Sequence, residues 1–376
     1  MKIDIFKTEE WMNKYEKDAM YDMTCTCVNS FSLNEFFKFT NTDFSKFMNT
    51  TLDYGDITGS EELKDLIANL YLNKTADNVT VTVGTIGANQ LVCLSLLEKD
   101  DEVICVIPTY QQHYSIPKQL GARVKLLKLR EELNWHIDFD DLKALITDKT
   151  KMIIINNPNN PTGSVMSYFE LQELVSIADK YGIYILSDEV YRGLNHYDTD
   201  NKLSVADIYD RGISTSSMSK TYSLAGIRVG YVVANKELIN EINHQRQYNT
   251  ISVSRIDDYI ACIALRNRDK IIKRNLETVQ KGKRLLLDWV NSTEGVDVVE
   301  PKAGTTAFLK YDFDINSTEF SEKLFKDTGV LFLPGDAFEF DKHLRIGYCG
   351  EFENLKEGLA ITAKWTEKNY KLIGIN

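Results

Sequence analysis

Proline is scarce in this chain, six residues among 376, and glycine numbers only 20. That excludes collagen-like, Pro-rich and flexible-linker sequences, and no internal repeat or low-complexity tract is present. Basic residues are outnumbered: 44 Lys and Arg stand against 55 Asp and Glu, a formal charge of −11. A nucleic-acid partner or an anionic membrane surface would call for the opposite balance. No apolar run approaches the roughly 18 residues of a membrane-spanning helix. The first twenty residues are charged and amphipathic, without the apolar core and small-residue cleavage site of a secretory signal. They also lack a basic helix-turn-helix pattern. The six cysteines (Cys25, Cys27, Cys93, Cys105, Cys262 and Cys349) include no Cys-x-x-Cys pair, and Cys25 and Cys27 stand too close for a metal clip. Buried, reduced thiols in a cytoplasmic protein are therefore expected. The five histidines (His113, His136, His196, His244 and His343) are scattered, so neither a metal site nor a Ser-His-Asp triad is predicted. A Gly-x-Gly-x-x-Gly turn and a phosphate loop ending Gly-Lys-Ser/Thr are both missing, which argues against a dinucleotide enzyme or a P-loop nucleotidase.

What is present suits a packed globular enzyme. Hydrophobic residues make up 43% and charged residues 26%. The length exceeds one ordinary core and predicts a large domain plus a smaller one. Val79–Val83, Val103–Ile107, Val124–Leu129, Met152–Ile155, Ile183–Leu186, Ile213–Ser216 and Val229–Val233 read as strands, several of them continuous apolar runs of the kind buried on both faces. Between them, Ala88–Glu98 is rich in helix formers. Tyr168, Leu171, Leu174, Val175 and Ala178 recur at helical spacing, with Ser167 as N-cap and Gly182 just past the end. The alternation predicts an α/β fold with a mostly parallel (mixed) sheet covered by helices. After Asp257 a long charge-rich helical stretch runs to about Asn291, followed by short strands and helices. The expected division is a large domain over residues 45–258 and a small α+β domain that combines 1–44 with 259–376.

Ligands of open parallel sheets bind at the carboxyl ends of the strands. Polar and glycine residues gather at five such ends: Thr85–Gly87, Thr109–Tyr110, Asn157–Gly163, Asp188–Tyr191 and Ser217–Lys220. The Gly84–Gly87 turn opens a helix, where free N–H groups and the helix dipole favour an anion.

The run Ser217-Met-Ser-Lys-Thr-Tyr-Ser-Leu-Ala-Gly-Ile-Arg228-Val-Gly-Tyr resembles the lysine segment of fold-type I pyridoxal 5′-phosphate (PLP) aminotransferases, the aspartate aminotransferase superfamily. Further motifs from Tyr54 to Arg345 follow in the family's order. The resemblance implies PLP as cofactor and a Schiff-base role for Lys220, whose freed amine moves a proton between the substrate Cα and C4′ of the cofactor. Asp188, in Ser-Asp-Glu-Val-Tyr, resembles the acid that keeps the pyridine nitrogen protonated. Tyr191 and Asn160 resemble the partners of the ring oxygen, and Tyr110, in Pro-Thr-Tyr, the stacking aromatic. Thr85, Ile86 and Gly87, with Ser217 and Arg228, would complete a phosphate cup. Arg345, in Leu-Arg-Ile-Gly-Tyr, resembles the binder of the substrate α-carboxylate. Tyr54, in Tyr-Gly-Asp-Ile-Thr-Gly, resembles the tyrosine that reaches the neighbouring subunit's phosphate in a homodimer.

The pattern departs from the family near the N-terminus. Thr24–Glu35 replaces the usual Gly-rich, Pro-containing cover, and Cys27, Asn29 and Ser30 take its place as lid candidates, with Asn29 expected to touch substrate. No second arginine for an acidic side chain can be matched; Arg246 and Arg255 read better as surface salt bridges. Tyr114, His113 and His196 could face the pocket or simply pack. The resemblance implies transamination between an amino acid and a 2-oxo acid. Elimination at a carbon–sulfur bond, cyclisation or decarboxylation could use the same residues. A non-catalytic PLP-binding regulator is the reading from another class.

Overall fold

In the computed structural model, which describes residues 2–197 and 203–370, seven strands form one central sheet. They are β1 (Val79–Val83), β2 (Glu102–Ile107), β3 (Arg123–Lys128), β4 (Thr150–Asn156), β5 (Tyr184–Asp188), β6 (Gly212–Ser217) and β7 (Val229–Val233). Their spatial order is β1-β7-β6-β5-β4-β2-β3, and only β7 runs against its neighbours. The apolar runs of β2, β4 and β5 are buried on both faces, as continuous rather than alternating hydrophobicity requires. The helix Tyr168–Tyr181 starts at a Ser167 capping box completed by Glu170 and stops where Gly182 adopts φ 66°. Register does the positioning: Asn156 pairs with Asp188, and Asp188 with Thr215, so the polar ends of β4, β5 and β6 form one row.

A second, antiparallel sheet comprises β8 (Val296–Val298), β9 (Thr306–Tyr311), β10 (Leu333–Pro334) and β11 (His343–Gly347), in the order β10-β11-β9-β8. The helices Arg268–Ser292 and Phe352–Asn369 pack on it through Val279, Leu286, Leu355 and Leu359.

Three expectations need adjustment. The single long helix after Asp257 is two helices, Arg255–Arg266 and Arg268–Ser292, broken at Asn267. The boundary at 258 falls inside the first of them. Its Ile260, Ala261 and Ile263 pack with Leu63, Val79 and Val81 beneath the large sheet, as do Phe36 and Phe37 of the helix Leu33–Thr40. Both segments were expected in the small domain; an amphipathic stripe announces that a helix has a core to face, not which core. Arg246 is not a surface ion pair either. Its buried guanidinium donates to Val81 O (3.0 Å) and Thr250 O (3.1 Å), closing the open edge of β1. Arg255 does pair with an acid, Asp53. Among the described residues no helix is long and apolar enough to cross a membrane, and no three His, Cys, Asp or Glu side chains converge as metal ligands.

Candidate active site

The carboxyl ends of β2, β4, β5 and β6 and the first turn of the helix Gly84–Leu96 open into a cavity of about 420 Å³. Thr85, Ile86, Tyr110, Asn160, Asp188, Tyr191, Ser217, Lys220, Arg228 and Arg345 all line it. A larger cavity of about 710 Å³, against the helix Arg268–Ser292, contains none of them.

Asp188 is the best-held side chain. Its Oδ2 accepts from Asn89 Nδ2 at 2.9 Å and lies 3.1 Å from His113 Nε2, while Oδ1 accepts from the Val190 N–H at 3.1 Å. The second layer is fixed in turn, for Thr215 Oγ1 donates to Asn89 Oδ1 (2.6 Å) and Thr109 Oγ1 lies 2.8 Å from His113 Nδ1. All of these groups are buried. A buried carboxylate is tolerated because several polar groups converge on it.

Lys220 Nζ donates to Thr26 Oγ1 at 2.6 Å and lies 3.2 Å from Cys27 Sγ. Burial works against its ammonium form, but neighbouring Tyr191 and Cys27 outweigh burial and hold its pKa up. Burial is also the main force pushing the Tyr191 phenol up, so that hydroxyl keeps its proton. Arg345, 7% exposed, donates Nη2 to Thr24 O (2.7 Å) and Nη1 to Asn160 Oδ1 (3.5 Å), while its buried Nε has no acceptor. Burial lowers its pKa, yet a guanidinium remains charged throughout the physiological range. Tyr110 donates its hydroxyl to Glu9 Oε1 (2.8 Å) and packs its ring on Phe6 at 4.7 Å.

An anion cradle lies at the opposite end. Gly84, at φ 67°, begins the helix itself, so Thr85, Ile86 and Gly87 belong to its first turn rather than to a preceding loop. Thr85 Oγ1 is buried without a partner, and the Arg228 guanidinium forms no ion pair among the described residues. Gly230 of β7 makes this approach possible, because a Cβ there would meet Gly84 C at 2.2 Å and Thr85 N at 2.6 Å. Ser217 Oγ accepts from the Ser219 N–H at 3.3 Å. Unpaired hydroxyl, free amides and unpaired guanidinium fit a phosphate, and the amine and carboxylate beyond them fit an aldehyde-bearing pyridine.

Two expected residues do not line the cavity, and a third, Tyr54, was expected to serve a neighbouring subunit's cavity instead. Gly87 lies on the helix turn but does not line the cavity. Asn29 does not line it either; its amide donates to Glu351 at 2.9 Å and its carbonyl accepts from Arg274. Tyr54 is 79% exposed, on a surface shared with Leu52 and Ser252–Ile256. The lid position belongs to Thr24–Cys27. Met23 O accepts from the Gly347 N–H (2.7 Å), Thr26 O from Thr305 Oγ1 (2.9 Å), and Gly347 is bare where Cys25 O passes. Cys25 and Cys27 are consequently half-buried, unlike the other four free thiols.

Sequence reasoning missed Asn89 and Thr26, left His113 undecided, and passed over Ser219. Ser219 could have been found as a second serine beside Lys220, and His113 as the residue four after Thr109 at the end of β2. Tyr114 and His196 only pack. Tyr114 donates to Glu339 (3.3 Å), and His196 sits between the carbonyls of Pro301 and Gly304.

Residues 38–361 match the family model described as Aminotransferase class I and II. A PLP-dependent aminotransferase structure from Streptococcus suis superposes with a TM-score of 0.95 at 39% identity, covering 100% of each chain. Capreomycidine synthase of Streptomyces vinaceus is 28% identical over 358 residues, 94% of this chain and 91% of that protein. Aspartate aminotransferase of Pyrococcus abyssi is 32% identical over 321 residues, 81% and 82% respectively.

Proposed function

Since this chain belongs to the class I and II aminotransferase family, whose members depend on PLP, we propose that it moves an amino group between an amino acid and a 2-oxo acid, with Lys220 as the residue that carries and releases the cofactor. One observation supports this above all: Lys220, Asp188 and Arg345 face a single cavity. Bound there, PLP supplies an electron-accepting ring that stabilises negative charge at the Cα of an attached amino acid.

The remaining work falls to the chain's own groups. Asp188, held by Asn89 and His113, keeps a proton on the ring nitrogen. Lys220 Nζ moves the Cα proton. Tyr191 and Asn160 would hold the ring oxygen, and Tyr110 would flank the ring. Thr85 and Ile86 would offer amides, and Ser217 and Arg228 side-chain donors, to the phosphate. Arg345 binds the α-carboxylate, for which its unpartnered Nε is available. The Thr24–Cys27 strap excludes water from Lys220.

We assign the working enzyme to a cytoplasmic homodimer in which Tyr54 reaches the neighbouring phosphate. Exposed Leu52, Tyr54, Ile57, Tyr248 and Ile251 favour a covered face there. Elimination or cyclisation at the same site is the second reading. It is favoured by the Cys27 thiol beside Lys220 and by similarity to a protein named a synthase.

Borohydride reduction and peptide mapping should find the cofactor on Lys220; a label on another lysine refutes the assignment. A single amino acid should convert the yellow enzyme to its aminated form, and a 2-oxo acid should restore it. Release of pyruvate and ammonia from a cysteine conjugate without that conversion would establish the second reading instead. Arg345→Ala should weaken amino-acid binding far more than cofactor binding, and equal losses count against its role.

A further inference from the structure

Once the residues suited to cofactor are set aside, the cavity retains an uneven charge. Arg345 is its one remaining cation, and Glu9, Glu16 and Asp22 stand on its N-terminal wall. None of these three acids forms an ion pair among the described residues. Glu9 accepts only from the Tyr110 hydroxyl (2.8 Å), and Asp22 from Thr24 N–H (2.7 Å) and Oγ1 (2.6 Å). The Glu16 carboxylate has no hydrogen-bond partner among them. Burial, followed by the charges of Asp22 and Glu9, pushes the Glu16 carboxyl above its ordinary range, so the three acids repel one another, and the one cation whose charge reaches Asp22 and Glu9 from the same wall is Arg345.

Arg345 supplies the independent sign of a ligand. It is more than nine-tenths buried in this same cavity, its Nε lacks an acceptor, and among the described residues no carboxylate forms an ion pair with it, although the charges of Asp22 and Glu9 reach it. A buried guanidinium left in that state suits an incoming carboxylate. Met12 and Leu333 add apolar wall beside the acids. Carboxylate clamp, apolar wall and acidic rim together match an α-amino acid with a methylene stem and a positive tip.

We propose that the substrate is an amino acid whose side chain ends in a cation, an amine or a guanidinium, received by Glu9, Glu16 and Asp22. This rests on the aminotransferase-family reading of the site. A second carboxylate, as in aspartate or glutamate, would meet three like charges, with Arg345, the one cation left on this wall, already engaged by the α-carboxylate.

The test is a titration of the PLP-loaded enzyme, followed by cofactor absorbance, with L-lysine, L-arginine, L-norleucine and L-glutamate. Norleucine is lysine without its ammonium. At low salt, lysine or arginine should bind roughly tenfold tighter than norleucine, with glutamate weakest. Glu16→Gln should narrow the gap between lysine and norleucine, and Glu16→Lys should favour glutamate. Cofactor loading, read at the same wavelength, reports whether each variant is folded. Norleucine or glutamate binding as tightly as both basic amino acids overturns this inference and leaves the family reading intact. An enzyme whose cofactor responds to no amino acid overturns both.

Discussion

Gly230→Ala tests the anion cradle without removing any group that would bind cofactor. Gly230 pairs with Thr82 and Ser217 across β7, and its Cα faces the start of the helix Gly84–Leu96. A methyl group there would lie 2.2 Å from Gly84 C, 2.4 Å from Gly84 O and 2.6 Å from Thr85 N. Ordinary contact needs about 3.4 Å, so the helix start must retreat by roughly 1 Å. β7 cannot give way instead, since it is paired on both sides. The overpacking should cost about 1–3 kcal/mol of stability. A 1 Å retreat breaks hydrogen bonds from the first-turn amides to a bound phosphate, each worth roughly 1.5–3 kcal/mol to a charged acceptor. Losing two of them weakens PLP binding by a factor on the order of 10² to 10⁴. The assay is titration of apoprotein with PLP by absorbance, paired with a thermal melt. A variant that binds PLP as tightly as the parent would show that the phosphate does not sit on this turn.

Other expectations follow from single contacts. Asn89→Ala strips the buried Asp188 of one donor and leaves the Thr215 hydroxyl unmatched; thermal unfolding should report a loss of about 1–3 kcal/mol. His113→Phe should weaken PLP about tenfold in an absorbance titration with little change in the circular dichroism spectrum, as expected when an outer-layer partner is removed. Arg246→Met leaves the carbonyls of Val81 and Thr250 without their donor and should cost about 1–3 kcal/mol in urea unfolding. Glu170 is opposed by burial, but bonds from His136 and Ser167 prevail and bring its pKa down from 4.5 to about 2. A depressed acid stabilises the fold above its unfolded pKa and loses that contribution as pH falls through the folded one. Discounted for exposure, Glu170→Gln should cost about 1 kcal/mol at neutral pH, and the difference should close between pH 4.5 and about 2 in melts across that range.

The central sheet was legible because parallel strands buried on both faces must be written as unbroken apolar runs, and turn residues end each one. Lys220, Asp188 and Arg228 were legible because they occupy short motifs next to those ends. The reversed direction of β7 was not, since the run Val229–Val233 has the same composition in either direction. Asn89 and His113 escaped because their meaning depends on Asp188, 99 and 75 residues away. Such pairings are made by register, which single-chain patterning does not encode. Of the three lid candidates Cys27 lines the cavity, whereas Asn29 and Ser30 do not, for a related reason. Asn29 looks more like a ligand-binding side chain than Thr26, but backbone bonds to Met23 and Thr26 decide which side chains face inward.

That strap has a practical consequence. Its carbonyls at Met23 and Thr24 are bonded to Gly347 and Arg345, so the cover over the lysine and the clamp for the carboxylate are mechanically one piece. Shortening the chain as far as residue 24 would deprive Arg345 of its backbone anchor as well as uncover Lys220. An affinity handle is accordingly better attached at the far terminus, and a trimmed expression variant should be treated as an active-site mutant.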